Sequence, residues 1–542
     1  MNDLSTPPSM SARYGMVIDL NSCVGCQTCT IACKHANDTP PGVQWRRVID
    51  VELGTFPNVE RLFLVTGCQH CAEPSCVPVC PTGATKQRAD GLVTMDYDLC
   101  IGCGYCAVAC PYQARTIAHE QNWYYGEPTT QETYVAQPDR IGVANKCTFC
   151  IEKVDDGLAA GLTPGVDPDA TPACANSCIA TAIHFGDFND PNSNVSQMSA
   201  DDRAFQMHEE LGNDPQVKYL YGIDNSMPGR DRTADDVDDE ALQDPANPLV
   251  GKVQKFWDMR AAMNFTLGGM STGLIIMAWL AYMLGSIPES ALIGVNVVAG
   301  VGMAIGLFFV FLEIARKARF LLVLLRPQSS WMTRETYVVA AFYPTLLADL
   351  FWPADILHLA LAIEAAAFLY CQARILQAGK GIPAWRAPQM PWMLIATGLL
   401  EGAGLLAIAT TLHPDLRGAT PIAAGLGGAL AAINAILWRN YMANTSVNGI
   451  HPLPRKALAA INTPLRLIGQ VLPLLGFAAF LGLWPTQPLV AALAGLGAVA
   501  GGIIWKMTVI TKASHQQGFA LSKVPQRGSG TRAAPARMGT AV

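Results

Sequence analysis

Sixteen of the chain's seventeen cysteines lie between residues 23 and 178, and they come as four quartets. The first is Cys23, Cys26, Cys29 and Cys33, spaced C-x2-C-x2-C-x3-C. The second is Cys68, Cys71, Cys76 and Cys80, followed by Pro81; the third is Cys100, Cys103, Cys106 and Cys110, followed by Pro111. The fourth, Cys147, Cys150, Cys174 and Cys178, has a long insertion between its two pairs. A [4Fe–4S] cube takes four thiolates, so sixteen ligands hold four cubes. A C-x2-C-x2-C turn wraps three thiolates around one face of a cube, and the fourth cysteine ligates the other cluster of a two-cluster module. Two other chemistries use cysteine this densely. Disulfide frameworks belong to secreted domains, whereas residues 1–13 are polar and contain no apolar leader. Structural zinc uses two separated C-x2-C pairs. Only the fourth quartet has that form, and it stands beside three that do not.

The positions of these residues divide the chain. At 542 residues more than one domain is expected, and the composition changes abruptly near residue 250. The net charge of −6 averages two unlike halves, and no basic nucleic-acid footprint is present. Residues 1–13 read as a disordered N-terminus and 14–222 as the cluster-bearing domain. Within it, 15–20 reads as a strand leading into a cluster turn and a short helix. Residues 45–66 read as a hairpin turning at 54–58, and 91–96 as a strand feeding the third quartet. Residues 112–146 and 151–173 are insertions rich in Pro, Gly and acids. Arg46 and Arg47 form a twin arginine, but no apolar run follows, so it is not read as an export signal. Residues 223–251 carry Asp231, Asp235, Asp236, Asp238, Asp239, Glu240 and Asp244 and read as a solvated acidic linker.

Residues 252–512 contain eight apolar segments: 262–284, 291–313, 336–351, 354–373, 392–412, 421–441, 465–484 and 487–511. Most reach the roughly 20 residues that cross a bilayer; the third is short. Gly302/Gly306 and Gly497/Gly501 have the spacing that lets helices approach closely. Lys and Arg gather on the face from which the first segment enters: Lys252, Lys255, Arg260, Arg316, Lys317, Arg319, Arg326, Arg334, Arg374, Lys380, Arg386, Arg439 and others. Arg417 stands alone on the opposite face. Positive charge stays in the cytoplasm, so the chain reads as a multi-pass inner-membrane protein. Its cluster domain, both termini and a tail over 513–542 are placed on the cytoplasmic side. The fold expected is α+β and ferredoxin-like, two modules of two clusters, followed by an all-α bundle of about eight transmembrane helices.

The four quartets, with Cys-Pro closing the second and third, resemble the iron–sulfur subunit of the dimethyl sulfoxide reductase family of molybdoenzymes. The stretch from Asp190 to Ser196 and Glu210-Leu-Gly212 look like the end of that subunit. Ser330-Trp-Met-Thr-Arg-Glu335 and Ile382-Pro-Ala-Trp-Arg-Ala-Pro388 are similar to signatures of its membrane anchor. Trp257-Asp-Met-Arg-Ala-Ala262 and Gln517-Gly-Phe-Ala-Leu521 look most like the anchors of cytoplasm-facing sulfite dehydrogenase and phenylacetyl-CoA oxidoreductase. Two polypeptides of that family look fused here. The resemblance implies crossed ligand sets. One module would hold Cys23, Cys26 and Cys29 with Cys178, and Cys147, Cys150 and Cys174 with Cys33. The other would hold Cys68, Cys71 and Cys76 with Cys110, and Cys100, Cys103 and Cys106 with Cys80. It also implies that the first module lies near the catalytic subunit and the second near the membrane.

The function expected is an electron-transfer and anchor subunit that serves a separate molybdenum bis-pterin catalytic chain and the membrane quinone pool, ubiquinone or menaquinone. There is no G-x-S-x-G and no P-loop for other substrate chemistry. Sulfite:quinone oxidoreduction is favoured and phenylacetyl-CoA:quinone comes second. The alternative is the quinol-oxidising subunit of a dimethyl sulfoxide, polysulfide or tetrathionate reductase. A redox-driven cation pump would need buried ionisable residues across the bilayer, and Glu364 and Glu401 make a thin path. A plain tethered ferredoxin leaves eight helices without a task. The quinone site is expected near the cluster-bearing face, at Glu313, Asn264 and Arg334, with Glu335 beside them and Glu313 as the proton carrier. No haem is expected: His358 and His413 both lie toward the opposite face, His413 at a helix end. Cys371 reads as a small core residue.

Overall fold

The computed structural model describes residues 12–55, 58–222, 244–444 and 450–519. Among these, ten short strands precede the membrane helices: β1 (Tyr14–Asp19), β2 (Arg46–Thr55), β3 (Asn58–Gly67), β4 (Thr85–Gln87), β5 (Val93–Met95), β6 (Thr116–Ile117), β7 (Ala144–Asn145), β8 (Ile183–Asp187), β9 (Ala204–Gln206) and β10 (Val217–Leu220). The first five residues of β1 are all buried, which suits a strand with neighbours on both edges. It lies second in a sheet of order β8-β1-β10-β9, antiparallel to β8 and parallel to β10. Strands β2 and β3 form the expected hairpin, in register from Arg46 opposite Gly67 to Thr55 opposite Asn58.

Short helices start directly behind the cysteine turns. Helix α1 (Thr28–Ala36) carries Cys29 and Cys33, and α2 (Tyr105–Ala109) carries Cys106. Helix α3 (Ile151–Ala159) follows Cys150 and opens the insertion at 151–173, and α4 (Ala173–Asn176) carries Cys174. The first and third turns share one backbone shape. Gly25 and Gln27 in one, Gly102 and Gly104 in the other, all have positive φ. At Gly102 a side chain has no room, because a Cβ would run into the Gly142 carbonyl.

The membrane half contains α5 (Met259–Met283), α6 (Glu289–Glu313), α7 (Trp331–Phe351), α8 (Asp355–Gln377), α9 (Met390–Leu412), α10 (Thr420–Ala443), α11 (Asn462–Gly482, with a π-helical turn at Leu467–Val471) and α12 (Pro488–Thr511). Among the described residues seven helical segments are long and apolar enough to cross a bilayer. Helix α7 is not one of them. It is 21 residues long but contains Pro344, Arg334, Glu335 and Asp349. The glycine pairs do pack helices together. A Cβ on Gly306 would lie 3.2 Å from Asn264 Oδ1 of α5, and one on Gly501 would strike Gly469 of α11.

One apolar core runs unbroken from one half into the other. It holds Cys80, Cys100 and Cys106 together with Trp257, Phe265, Trp385 and Trp505. The start of the segment read as a tail over 513–542 forms a strap. Residues 513–519 fold back over both halves. The Gln516 amide donates to Lys252 O, the Phe519 amide to Leu249 O and the Gln517 amide to Gly381 O, while His208 Nε2 lies 2.7 Å from Gly518 O. Ala513 and Ser514 are fully buried. Most of the acidic linker, 223–243, and the rest of the tail, 520–542, lie outside the described residues.

Candidate functional site

All seventeen cysteines are free thiols. Sixteen of them lie in the cluster-bearing half, where thiols of different quartets face one another. Burial raises the Cys33 thiol, and the thiols of Cys147, Cys174 and Cys150 around it raise it further. Burial likewise raises Cys23, which faces Cys178 and Cys26. Cys110 is pushed up to about 12 by burial, with Cys76 and Cys68 beside it, and Cys71 is raised in the same company. Cys106 is pushed up to about 12 by burial, with Cys80, Cys100 and Cys76 nearby. Cys33 thus stands beside cysteines of the fourth quartet, Cys110 beside those of the second, Cys80 beside those of the third, and Cys178 beside Cys23. Among the described residues no three His, Cys, Asp or Glu side chains converge tightly enough for one bare metal ion. A cube holds its four thiolates farther apart than a single ion does.

The surroundings fit anionic, sulfur-rich groups. Main-chain amides point at sulfur: Ala182 N lies 3.2 Å from Cys178 Sγ, and Ala144 N lies 3.5 Å from Cys100 Sγ. Buried cations sit between the neighbourhoods. Arg46, the first of the twin arginines, is fully buried, with Nη2 3.8 Å from Cys174 Sγ. Its Nε and Nη1 have no partner on the protein, which leaves two donors for a sulfide. Arg115 donates from Nη2 to Cys76 Sγ at 3.1 Å and also lies near Cys106. Lys146 is fully buried between Cys68 and Cys147 and donates to the Cys147 and Val93 carbonyls. His70 stacks on Phe149 at 3.8 Å and touches the Cys147 carbonyl through Nε2 at 3.0 Å. Sequence reasoning missed Arg115, Lys146 and His70. The available signal was that each lies within five residues of a quartet cysteine.

Cys103 leads to the membrane. It lines the small cavity enclosed with Cys80, Cys100 and Cys106, and also a cavity of about 360 Å³ between α5, α6 and α7. The larger cavity is walled by Trp257, Phe265, Phe308, Phe311 and Phe320, with Asn264, Glu313 and Glu335 as polar groups. Trp257 Nε1 donates to the Cys103 carbonyl at 2.9 Å, and the indole stacks on Trp385 at 5.6 Å. The motif around Trp257 also builds the cavity mouth. Asp258 caps α5, its amide donates to Glu313 Oε1 at 3.2 Å, and Arg260 binds the Leu312 carbonyl.

Two of the three residues expected at the quinone site, Asn264 and Glu313, therefore share one cavity. Arg334 is corrected: it points away. Its guanidinium binds the Pro327 and Gln328 carbonyls and lies over the Trp331 ring at 4.2 Å, so its neighbour Glu335 takes the inward position. The deeper carboxylates have partners. Glu401 Oε2 receives a hydrogen bond from Lys506 Nζ at 2.6 Å, both side chains being buried, and Glu364 Oε1 receives one from Thr345 at 3.0 Å. His358 is held between Asp349, 2.8 Å from Nδ1, and Glu289, 3.1 Å from Nε2, while His413 is exposed beside Asp415.

Among known proteins, a family profile described as a 4Fe-4S dicluster domain matches residues 59–125, which contain the second and third quartets. The chain is 41% identical over 229 residues to a selenate reductase subunit of Mesobacillus selenatarsenatis, covering 39% of this chain and 73% of that one. It is 37% identical over 252 residues to a sulfite dehydrogenase subunit of Allochromatium vinosum, covering 44% and 91%. It is 37% identical over 235 residues to the menaquinone reductase iron-sulfur cluster-binding subunit of Nitratidesulfovibrio vulgaris, covering 40% and 92%. Each alignment spans under half of this chain.

Proposed function

Because the chain belongs to the iron–sulfur subunits of the dimethyl sulfoxide reductase family of oxidoreductases, we propose that it carries electrons between a separate molybdenum catalytic chain and membrane quinone. Its sixteen thiolates would hold four [4Fe–4S] clusters in the crossed sets that the resemblance implies, and bound clusters supply one-electron steps. The observation that carries this reading is Cys103, one thiol shared between a cysteine neighbourhood and an apolar membrane cavity.

The chain's own residues account for both ends of the route. At the entry, Cys26 is exposed, and Val24, Ile31 and Ile179 form an apolar surface beside the quartet cysteines 23–33 and 178. Such a surface suits a partner chain that must exclude water from the transfer path. In between, Arg46, Lys146 and Arg115 hold positive charge where the transferred electron resides. At the exit, Trp257 fixes the Cys103 loop against the cavity wall, and the phenylalanines keep the cavity dry. Glu313, joined at the mouth to Asp258 and Arg260, brings protons from the aqueous face.

The Lys and Arg bias supports a cytoplasmic cluster domain. With that orientation we favour oxidation of sulfite with quinone as acceptor. The reductase names of the selenate and tetrathionate relatives favour the reverse direction as the second reading. The test uses the intact complex with its co-purifying molybdenum chain. Glu313→Gln is expected to leave substrate-driven cluster reduction intact and to slow quinone turnover about tenfold or more. A wild-type rate across neutral pH removes Glu313 from the proton path, and a purified chain with no molybdenum partner sinks the larger reading.

A further inference from the structure

The membrane cavity presents two carboxyls to any ring bound in it, and they are not equivalent. Glu313 ends α6 and is tied to the surface through the Asp258 amide and Arg260. Glu335 lies on the second turn of α7, only 7% exposed, with Gln372 beside it. Tyr105, two residues after Cys103, stands against it, with its hydroxyl fixed on the Ile375 carbonyl at 2.8 Å. Glu335 is thus the carboxyl on the α7–α8 wall of the cavity, apart from the α6 end where Glu313 sits.

Two buried polar atoms on this wall have no protein partner: Glu335 Oε1 and Asn264 Oδ1, the latter on a residue 4% exposed. Buried polar atoms are nearly always satisfied, and an unsatisfied one marks a place where something else binds. Both lie in a mainly apolar cavity whose other polar groups include Glu313 and Thr336. An amide oxygen and a carboxyl together suit a ring oxygen that is a carbonyl before reaction and a hydroxyl after it. A protonated Glu335 donates to the carbonyl. The ionised Glu335 and Asn264 Oδ1 accept from the hydroxyl.

We propose that Glu335 is the catalytic proton donor to the inner oxygen of a quinone, with Glu313 serving the outer oxygen. The assignment rests on the cavity being the quinone site. Reduction of the quinone consumes two electrons, which arrive past Cys103, and two protons. One O–H bond forms on the inner ring oxygen as the Glu335 carboxyl O–H breaks. The second forms on the outer oxygen with the proton held at Glu313. The new inner hydroxyl then donates to the Glu335 carboxylate, and when hydroquinone leaves, water entering from the Glu313 end returns a proton to Glu335. The reverse reaction uses the same groups, with Glu335 as base.

The experiment uses the full complex in membranes, with reduced viologen as electron donor and decylubiquinone or menadione as acceptor. Glu335→Gln is expected to keep the cluster EPR spectra and viologen-driven cluster reduction. Its KM should stay within about threefold of wild type while kcat falls about 100-fold, in the range lost with a general acid. Glu335→Asp restores part of kcat. Glu313→Gln loses less. If wild type reduces either acceptor and Glu335→Gln retains its kcat, or raises KM alone, the donor assignment is overturned while the quinone cavity stands. If wild type reduces neither acceptor, the cavity reading falls and this assignment with it. Should Glu335→Gln fail to assemble, Glu335→Asp decides: lower kcat at unchanged KM supports the donor role, and unchanged kcat overturns it.

Discussion

Replacing Arg115 with Gln removes one buried positive charge from the second cysteine module and leaves a shorter, neutral donor. Arg115 is 4% exposed, its Nη2 lies 3.1 Å from Cys76 Sγ, and Cys106, Cys68 and Cys110 surround it. An electron added to a cube ligated by Cys76 would sit about 6 Å from the guanidinium. At an effective dielectric constant of about 20 the attraction is about 2.8 kcal/mol, or about 120 mV for a one-electron couple. The positive charge favours the reduced cluster, so its loss makes the cluster harder to reduce and the potential falls. The cluster of Cys68, Cys71, Cys76 and Cys110 shifts most. That of Cys100, Cys103, Cys106 and Cys80 shifts less, and the two of the first module barely move. The assay is an EPR-monitored redox titration of membranes holding wild type or Arg115→Gln. A shift below about 30 mV, or an upward one, refutes the claim that this cation sets the potential of the second module, because a site of that size and burial cannot screen the charge so completely.

Iron analysis of the purified chain is expected to approach sixteen atoms, the sum for four cubes, and zinc at the fourth quartet would break the count. Cys33→Ser and Cys178→Ser are expected to alter different clusters: Cys33→Ser disturbs the signal built on Cys147, Cys150 and Cys174, and Cys178→Ser the one built on Cys23, Cys26 and Cys29. EPR showing the opposite assignment overturns the crossing. A reporter fused after Val542 is expected to be active only as a cytoplasmic probe, and cleavage of residues 1–250 by protease outside intact cells reverses the orientation.

The cysteine neighbourhoods were legible because ligand spacing is local chemistry: three thiols around one turn need C-x2-C-x2-C whatever lies elsewhere. Helix positions in the bilayer were legible for the same reason, since a span is a continuous run. What stayed hidden depends on packing between distant segments. Arg46 reads in sequence as half of a twin arginine, and only the fold carries it to Cys174, 128 positions away. Arg334 and Glu335 are adjacent, and which one enters the cavity depends on the rotation of α7 against α5 and α6. The spacing of charges cannot reveal that rotation where the apolar stripe is broken by Arg334 and Glu335 themselves. The strap at 513–519 contains no apolar run, because its order comes from main-chain hydrogen bonds to Leu249, Lys252 and Gly381.

The basic residues on the cluster-bearing face have two roles, and this bears on how the halves are held. Arg316 binds the Ile141 and Pro138 carbonyls, and Arg319 binds the Tyr97 and Cys100 carbonyls. These are among the charges from which the expected orientation is read. Ser330 binds Val79 O, and Tyr105 binds Ile375 O from the other side. Electron transfer between a cluster and a ring weakens steeply with distance, and a working site must be held to within a fraction of an ångström. The contacts around Cys103 can set such a distance: Trp257 from the start of α5, Arg316 and Arg319 after α6, Ser330 before α7, and the strap after α12. Each follows or precedes a helix end on one face, so the ends of the bundle form the floor on which the second module rests. The Cys103 loop and the cavity mouth are then held as one body, and, if the cavity is the quinone site, a change in any of these contacts is expected to be felt first in quinone turnover rather than in cluster assembly.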